Sequence, residues 1–313
     1  FSLGTLGYMC LEKIVMGTGK TTITMVCQLA GALTNIVLDP VMIYGLLGCP
    51  AMGVVGAAWA TVIGQFVSLI VIAAVYFKKG VGLESGMRYL KPEKKTLGSI
   101  YAIGLPAIVM QILTPIMSYA LNLILGAISV SAVTAYGVYY KLQNFIFMPG
   151  YGRNNASIPI ISYNFGAKNK VRVSQTIRYG LLYVSVIMLL GIILLQLFAR
   201  QIVGIFSVTE ESHQLCVLAL RIITCGFFFA GANIILQGVC QALGKGGYSL
   251  IISLLRFVVL ALPLAWALSL TENAANLVWL SLPAAEAGAC LVAVLLTRKT
   301  YRRFDTQTTS ICK

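Results

Sequence analysis

The stretch TTITMVCQLAGALTNIVLDPVMIYGL, residues 21–46, holds a single charged residue, Asp39. An apolar segment of about 20 residues is long enough to cross a bilayer as a helix, which satisfies every backbone polar group within the segment. The whole composition agrees, because 58% of the 313 residues are apolar and 10% are charged, whereas soluble proteins carry about 25% charged residues. The stretch predicts a membrane helix, and the composition predicts a membrane protein.

The residues at the start of this stretch, MGTGKTT at 16–22, look like half of a phosphate-binding loop. That loop requires G-x-x-x-x-G-K-[ST], whose first glycine would fall at residue 14, where this chain has Ile14. The loop should also follow a buried strand, whereas GTGK lies between two apolar segments of helical length. We interpret the motif as a turn between helices and not as a nucleotide site.

Further apolar segments of helical length follow along the chain. The eight complete spans are 21–46, 54–77, 97–125, 130–161, 180–198, 214–236, 248–270 and 276–296, and residues 1–16 finish a ninth. Bends at membrane depth are expected at Gly104, Pro106, Pro115, Pro149 and Pro159. The sequence therefore predicts an all-α polytopic membrane protein.

The basic residues predict the orientation of the chain, whose formal net charge is +14. Of the 23 Lys and Arg, 18 fall in alternate gaps: two in 12–20, six in 78–95, four in 168–178, Lys245, and five from Arg298 onward. The opposite gaps, 47–53, 126–129, 207–213 and 271–275, have none. By the positive-inside rule the basic gaps and the C-terminus are cytoplasmic, and the charge reports topology and not a nucleic-acid surface.

An internal repeat is indicated by GTGK at 17–20 and ALGK at 242–245, since each opens a long span from a basic turn. Duplication with a site at the repeat interface is the plan of many secondary transporters. If the spans repeat, roughly three and a half helices are expected upstream of Phe1.

Seven motifs together resemble one known family. They are EKIVMGTGKT (12–21), NIVLDPVMIYG (35–45), GVVGAAWATVIGQ (53–65), GLPA (104–107), FMPGYG (147–152), IPIISYNFGAKN (158–169) and QALGKGG (241–247). The resemblance is to the multidrug and toxic compound extrusion (MATE) antiporters, which have twelve helices in two lobes arranged as an inverted V. It implies that residues 1–77 finish the N-terminal lobe from the end of helix 4, 78–96 link the lobes, 97–297 form the C-terminal lobe and 298–313 are a cytoplasmic basic tail.

Asp39 is the strongest candidate for coupling, because a charge at mid-membrane costs about 2.5–3.5 kcal/mol. Asn35 lies four residues earlier on the same helical face, and Thr61 lies at a similar depth on the next span. The three are predicted to converge as an H⁺ or Na⁺ site, which resembles the family's N-lobe cation site without its further aspartate on a first helix. Two alternatives stay open: Asp39 serves only a helix kink at Pro40, and Thr61 bonds to its own helix backbone.

In the C-terminal lobe, Arg256 and Glu286 lie at nearly matching depths and are predicted to form an ion pair, since either charge alone would be hard to bury. The pair either stabilises the lobe or takes part in transport. Lys141 either lines a cavity beside tyrosines or snorkels to the interface. The candidates for an adaptable substrate cavity are Gln111, Asn122, Tyr139, Lys141, Asn154, Asn155, Asn233 and Gln237.

The sequence predicts secondary active efflux of organic, cationic or amphipathic compounds by antiport against H⁺ or Na⁺ in a bacterial inner membrane. The alternative is a lipid-linked saccharide flippase, which would favour a cationic cavity containing Lys141, Arg153 and Arg256. No enzyme is expected, because the sole histidine, His213, has no nucleophile or second base near it in sequence. We also expect no cofactor, no disulfide and no metal apart from Na⁺ at Asp39. The expected partners are drug-like molecules and membrane lipids but no nucleic acid, and the expected state is a monomer.

Overall fold

The computed structural model describes residues 2–79 and 93–309, and in these ranges it contains helices and turns but no strand. The all-α prediction is confirmed. The chain divides into two compact units, Phe1–Lys91 and Pro92–Lys313. The division falls within the predicted linker 78–96, of which 80–92 lie outside the described residues.

Unit 1 contains three helices in the described residues. They are α1 (Ser2–Gly17), α2 (Thr21–Tyr44) and α3 (Val54–Lys79), with a short 3₁₀ turn at Leu46–Gly48 after α2. Val15, Cys27 and Ile72, one from each helix, form a small buried core. Helices α2 and α3 approach closely at Gly31 and Gly64, because a Cβ placed on Gly31 would lie 2.5 Å from the Gly64 carbonyl oxygen. This glycine pair fixes how the two helices face each other.

Unit 2 contains nine helices in the described residues. They are α4 (Lys94–Ile128), α5 (Val130–Gly166), α6 (Lys170–Gly204), α7 (Glu210–Thr224), α8 (Phe227–Ala242), α9 (Gly246–Leu254), α10 (Leu262–Ser269), α11 (Ala274–Leu277) and α12 (Ser281–Thr309). A π-helical segment, Leu255–Ala261, joins α9 to α10, and a 3₁₀ turn, Val278–Leu280, joins α11 to α12. Helix α12 continues through most of the predicted tail 298–313.

Helix α5 is the central helix of unit 2, because it packs against α4, α6, α7 and α8. The core around it contains the fully buried side chains of Phe147, Met188, Phe227 and Trp279. The rings of Phe147 and Phe227 meet edge to face, with their centroids 4.8 Å apart. Large aromatic and thioether side chains thus fill the space between the helices.

Six helices in the described ranges are long and apolar enough to cross a membrane, and the α7–α8 pair is a seventh if it counts as one span. The six are Thr21–Tyr44, Val54–Lys78, Lys94–Ile128, Lys170–Gly204, Gly246–Ser269 and Ala274–Tyr301. The remaining predicted span, 130–161, falls in α5, which does not reach this hydropathy. Lys141, Arg153 and the Asn154–Asn155 pair make α5 more polar than its neighbours.

None of the four prolines at which bends are predicted ends a helix. Helices α4 and α5 continue through Pro106, Pro115, Pro149 and Pro159. The sharp bend, 50°, separates α7 from α8. It lies at Gly226, where an added Cβ would come within 2.7 Å of the Pro283 Cα atom of α12. Close packing of another helix, and not a proline within the span, accompanies this bend.

The two turns of the predicted repeat have the same local geometry. Gly19 and Gly244 both adopt positive φ, +81° and +72°. The following lysines also agree, with φ −87° and ψ 54° at Lys20 and φ −105° and ψ 52° at Lys245. A glycine is needed at the first position because other residues rarely adopt positive φ.

Candidate functional site

A polar cluster in unit 1 follows from the crossing of α2 and α3. Asn35 lies about one helical turn after Gly31, and Thr61 about one turn before Gly64, on helices that run in opposite directions. A Cβ added to Gly64 would lie 3.1 Å from the Asn35 Cβ, so Asn35 is pressed against α3. The glycine crossing therefore brings the two polar side chains together.

The three predicted coupling residues lie within hydrogen-bonding reach of one amide. Asn35 Nδ2 donates to Asp39 Oδ1 and to Thr61 Oγ1, each at 3.4 Å. Thr61 Oγ1 also donates to the Ala57 carbonyl of its own helix at 2.9 Å. Asn35 and Asp39 are half-buried, and Thr61 is exposed. Thr61 thus contacts Asn35 of the neighbouring helix and also makes the bond to its own helix backbone that was the alternative prediction.

The chemistry of this cluster depends on which atom of the Asn35 amide faces inward. In the structure its NH₂ group donates to the carboxylate and to the hydroxyl. A cation requires oxygen ligands, so Na⁺ would need the amide to turn and present its carbonyl oxygen.

Unit 1 contains a second carboxylate that the sequence argument omitted. Glu12 lies in α1 with its side chain 15% exposed, and its Oε2 is 3.7 Å from Lys13 Nζ. Residue 12 falls both in the predicted partial span 1–16 and in the basic gap 12–20, and α1, which runs on to Gly17, includes it. Following the helical periodicity of the partial span through Glu12 could have identified this carboxylate.

In unit 2, Arg256 and Glu286 lie together inside the helix bundle. Arg256 Nε donates to Glu286 Oε1 at 2.6 Å, and Nη2 approaches the same oxygen at 2.5 Å. Their side chains are only 7% and 14% exposed. Arg256 projects from the π-helical segment Leu255–Ala261, and such segments often occur at functional sites.

Asn233 is the third member of this network. Its Nδ2 donates to Glu286 Oε2 at 2.9 Å and to the Glu286 carbonyl oxygen at 3.0 Å. Asn233 is fully buried, so it orients Glu286 and lines neither of the cavities described next. The network joins α8, the π-helical segment and α12.

Two cavities of unit 2 share Arg256 in their lining. The smaller, about 80 Å³, is enclosed by aromatic side chains that include Tyr136, Tyr139 and Phe227, and Glu286 also borders it. The larger, about 560 Å³, is lined by side-chain amides. These are Gln111, Asn154, Asn155, Gln237 and Gln241. Because Arg256 is paired with Glu286, the larger cavity presents neutral hydrogen-bonding groups and little net charge.

The predicted cavity residues divide between these places. Gln111, Asn154, Asn155 and Gln237 line the larger cavity, and Tyr139 lines the smaller one. Asn122 and Lys141 border neither of these two cavities. Asn122 Nδ2 donates to the Ser118 carbonyl of its own helix at 2.9 Å, and Lys141 is exposed, with its ammonium 5.8 Å from the Phe206 ring centroid.

Sequence reasoning missed Gln241 and Ser253 in the larger cavity. Ser253 Oγ donates to Gln237 Oε1 at 3.1 Å, while Gln237 Nε2 is buried without a partner in the described residues. Asn233, Gln237 and Gln241 recur every four residues and share one face of α8. That periodicity was the signal for Gln241.

Arg153, one of the three cations that would favour a flippase, lies outside the larger cavity. Its Nη1 donates to Ser157 Oγ at 2.7 Å, one turn along the same helix. Its Nη2 lies 4.0 Å from the position of a Cβ added to Gly180 of α6. Arg153 thus packs toward α6.

Comparison with known proteins gives consistent relatives. Multidrug export protein MepA of Staphylococcus aureus strain MSSA476 is 26% identical over 304 residues, which cover 97% of this chain and 66% of that protein. MepA of Staphylococcus saprophyticus is 27% identical over 289 residues, covering 92% and 62%. The chain therefore spans slightly less than two thirds of the length of these curated relatives.

Solved structures show the same fold. A MATE transporter in the straight conformation aligns with a TM-score of 0.84 at 24% identity, over 92% of this chain and 64% of that one. The outward-facing conformation of a multidrug resistance MATE family transporter aligns with a TM-score of 0.83 over the same shares. The apolar helices and this fold define a polytopic membrane protein. The MatE family model matches residues 106–267, more than half of the chain, and the chain belongs to this family.

Proposed function

We propose that the protein exports organic, cationic or amphipathic compounds by antiport against H⁺ or Na⁺. The observation that carries the proposal is the cluster of Asp39, Asn35 and Thr61 between two apolar helices. A carboxylate is costly at membrane depth and needs a function that repays its burial. The names of the staphylococcal relatives, which are multidrug export proteins, support the substrate class.

The coupling step belongs to Asp39. Protonation or cation binding would neutralise the carboxylate and weaken its hydrogen bond with the Asn35 amide. This change would favour a different packing of α2 against α3. A bound ligand shifts such an equilibrium only by its differential affinity for the two states. The coupling ion is H⁺ or Na⁺, and Na⁺ would require the Asn35 amide to turn its carbonyl oxygen toward Asp39.

The substrate would occupy the larger cavity of unit 2. Its amides offer donors and acceptors that suit varied compounds, and Tyr151 and Phe257 offer aromatic faces for flat or cationic groups. A lipid-linked saccharide pyrophosphate would need unpaired cations. Of the three candidate cations only Arg256 lines the larger cavity, and it is paired with Glu286, so the proposal does not adopt the flippase alternative.

The proposed location is the bacterial inner membrane, with the basic turns and the C-terminus in the cytoplasm. The protein would act as a monomer on drug-like molecules and would need no cofactor beyond the coupling ion. The relatives named above are exporters, and no enzymatic activity is proposed.

The test is efflux of a cationic dye from cells that express the protein. Asp39→Asn is expected to reduce pH-driven efflux to the background of cells that lack the protein, while the amount in the membrane is unchanged. Substituting Asn keeps the size of the side chain and removes the titratable group. Glu211→Gln, which neutralises an exposed carboxylate of α7, is the matched control and should export at the normal rate.

Two results would remove the assignment. One is normal coupled efflux by Asp39→Asn. The other is loss of coupling in Glu12→Gln while Asp39→Asn stays coupled, which would move the coupling role to Glu12 of α1. Dependence of the wild-type rate on a Na⁺ gradient at constant pH would replace H⁺ with Na⁺ but leave Asp39 in place.

A further inference from the structure

We infer that unit 2 binds the headgroup of an anionic phospholipid in a groove between α6 and α12. The groove has a volume of about 580 Å³. Ser174, Ile177, Arg178 and Leu181 of α6 form one side, and Thr297, Arg298 and Tyr301 of α12 form the other. The four α6 residues follow helical spacing and share one face.

The charge of the groove selects the headgroup. Arg178 and Arg298 are exposed and come from different helices, and neither has a hydrogen bond or ion pair within the described residues. The lining contains no carboxylate in the part of the chain that the structure describes. Two guanidinium groups match a phosphate diester with paired donors, whereas the ammonium of a zwitterionic headgroup would find no partner here.

The floor of the groove is apolar and well packed. Leu181 contacts a buried cluster that includes Leu236 and Cys240 of α8. Cys240 Sγ lies 3.6 Å from Thr297 Oγ1, which ties α8 to α12 beneath the two arginines. The groove is therefore a fixed feature of three packed helices and not a gap between loose side chains.

The surface below the arginines suits acyl chains. On α6, Leu182, Val186 and Leu189 are exposed and follow Arg178 at helical spacing. On α12, Leu295 and Leu291 are exposed and precede Arg298 on the same side of that helix. On both helices the exposed apolar residues begin next to an arginine and continue into the apolar span. A charged site followed by an apolar surface matches a phospholipid, which carries acyl chains, and not a free phosphate.

The end of unit 2 that carries the groove also carries the basic turns. Ser162 Oγ donates to the Ala242 carbonyl at 3.0 Å, which brings the end of α5, before Lys168, close to the end of α8, before Lys245. Basic pockets between membrane helices on the cytoplasmic side commonly bind anionic headgroups. On the proposed topology, the groove faces the cytoplasmic leaflet.

The test is native mass spectrometry of the full chain released from nanodiscs that contain equal amounts of phosphatidylglycerol and phosphatidylethanolamine. The wild type should retain phosphatidylglycerol in preference. Arg178→Gln with Arg298→Gln should reduce that preference by about tenfold or more, since one charge-assisted hydrogen bond alone accounts for about tenfold and the variant removes two guanidinium groups. Arg172→Gln with Lys299→Gln is the matched control, since it removes the same charge from the same helices at exposed positions outside the groove.

Each outcome decides the inference. An equal preference in the wild type and the Arg178/Arg298 variant would overturn it, and so would an equal loss in the Arg172/Lys299 variant, which would point to diffuse positive charge. Displacement of the lipid by millimolar glycerol phosphate would replace the lipid with a free phosphate ester. Arg178→Lys with Arg298→Lys should keep a reduced preference, because lysine keeps the charge and loses the planar fork. Because this variant keeps both charges, any change in its lipid preference cannot come from a loss of charge.

Discussion

Arg256 and Glu286 show how single residues decide the interior of unit 2. Each charge is nearly removed from solvent, and desolvation costs several kcal/mol per ion before any attraction is counted. The structure offsets this cost with three contacts on Glu286: two from the guanidinium and one from the Asn233 side-chain amide. Glu286 thus has its donors, although Asn233 Oδ1 is buried without a partner in the described residues, and losing one of the two charges harms such a pair more than losing both together.

The buried pair therefore predicts a specific pattern of stability. Glu286→Gln should lower the free energy of unfolding by about 3–5 kcal/mol, because it leaves Arg256 buried without a counter-charge. Arg256→Met should also destabilise, whereas Arg256→Met combined with Glu286→Gln should recover part of the loss. Thermal unfolding in detergent measures the series, and Glu211→Gln at an exposed position of α7 is the control.

The exchanged pair, Arg256→Glu with Glu286→Arg, gives a second check on the same contact. Restoration of part of the stability by the exchange supports direct pairing. If neither double variant is more stable than the worse single variant, the two charges do not stabilise each other. Asn233→Ala should cost less than either charge change, because it removes one neutral donor.

At the scale of helices, unit 1 depends on the close crossing of α2 and α3. Gly31 and Gly64 let the two backbones approach, a packing that small residues favour in membranes. The same crossing sets Asn35 against Thr61, so packing and candidate site depend on one pair of glycines. A methyl group at this point would separate the helices and also pull the polar cluster apart.

Gly31→Ala tests this dependence. Its Cβ would meet Ser68 Oγ, which can rotate away, and the Gly64 carbonyl oxygen at 2.5 Å, which cannot. We expect a loss of about 1–3 kcal/mol, typical of overpacking, together with reduced efflux. Gly17→Ala is the control, since a Cβ there meets nothing within 4 Å. Normal stability and efflux in Gly31→Ala would show that the two helices are held by other contacts.

The sequence predicted the helices better than their ends and breaks. Hydropathy locates a span by its apolar residues, so the prediction for α6 began at 180, whereas the helix begins at Lys170 and carries its basic first turns out of the apolar region. The bend at Gly226 depends on the approach of Pro283, and the π-helical segment carries the Arg256 contact with Glu286. These are contacts between distant parts of the chain, which a local pattern does not contain.

Across the whole molecule, some features of the candidate sites could be predicted from the sequence and others could not. The convergence of Asp39, Asn35 and Thr61 was predictable because membrane charge is rare and depth can be counted along a helix. The cavity was only partly predictable, because a polar residue in a span can face a cavity, its own backbone or a neighbouring helix. Asn155, Asn122 and Asn233 represent these three cases. Which case applies depends on the rotation of each helix in the bundle.

Unit 2 as a whole has two chemically different ends. The turns before Lys168 and Lys245 are joined by the Ser162 bond to the Ala242 carbonyl. At other turns, Ser212 Oγ donates to Ser131 Oγ at 3.2 Å, which brings together two segments without lysine or arginine. Because short basic loops are retained in the cytoplasm, the first pair of turns should lie inside the cell and the second pair outside.

Labelling of single cysteines with a membrane-impermeant maleimide tests this orientation. In a background without the native cysteines, Glu211→Cys and Glu272→Cys should react in intact cells, whereas Lys168→Cys and Lys245→Cys should react only in inside-out vesicles. All four positions are exposed, so a failure to react reports the membrane and not burial. Labelling of position 211 and position 245 from the same side would contradict the topology, and with it the cytoplasmic placement of the groove between α6 and α12. Reaction of all four in intact cells would instead indicate leaky membranes, which a cytoplasmic marker protein labelled in the same sample would reveal.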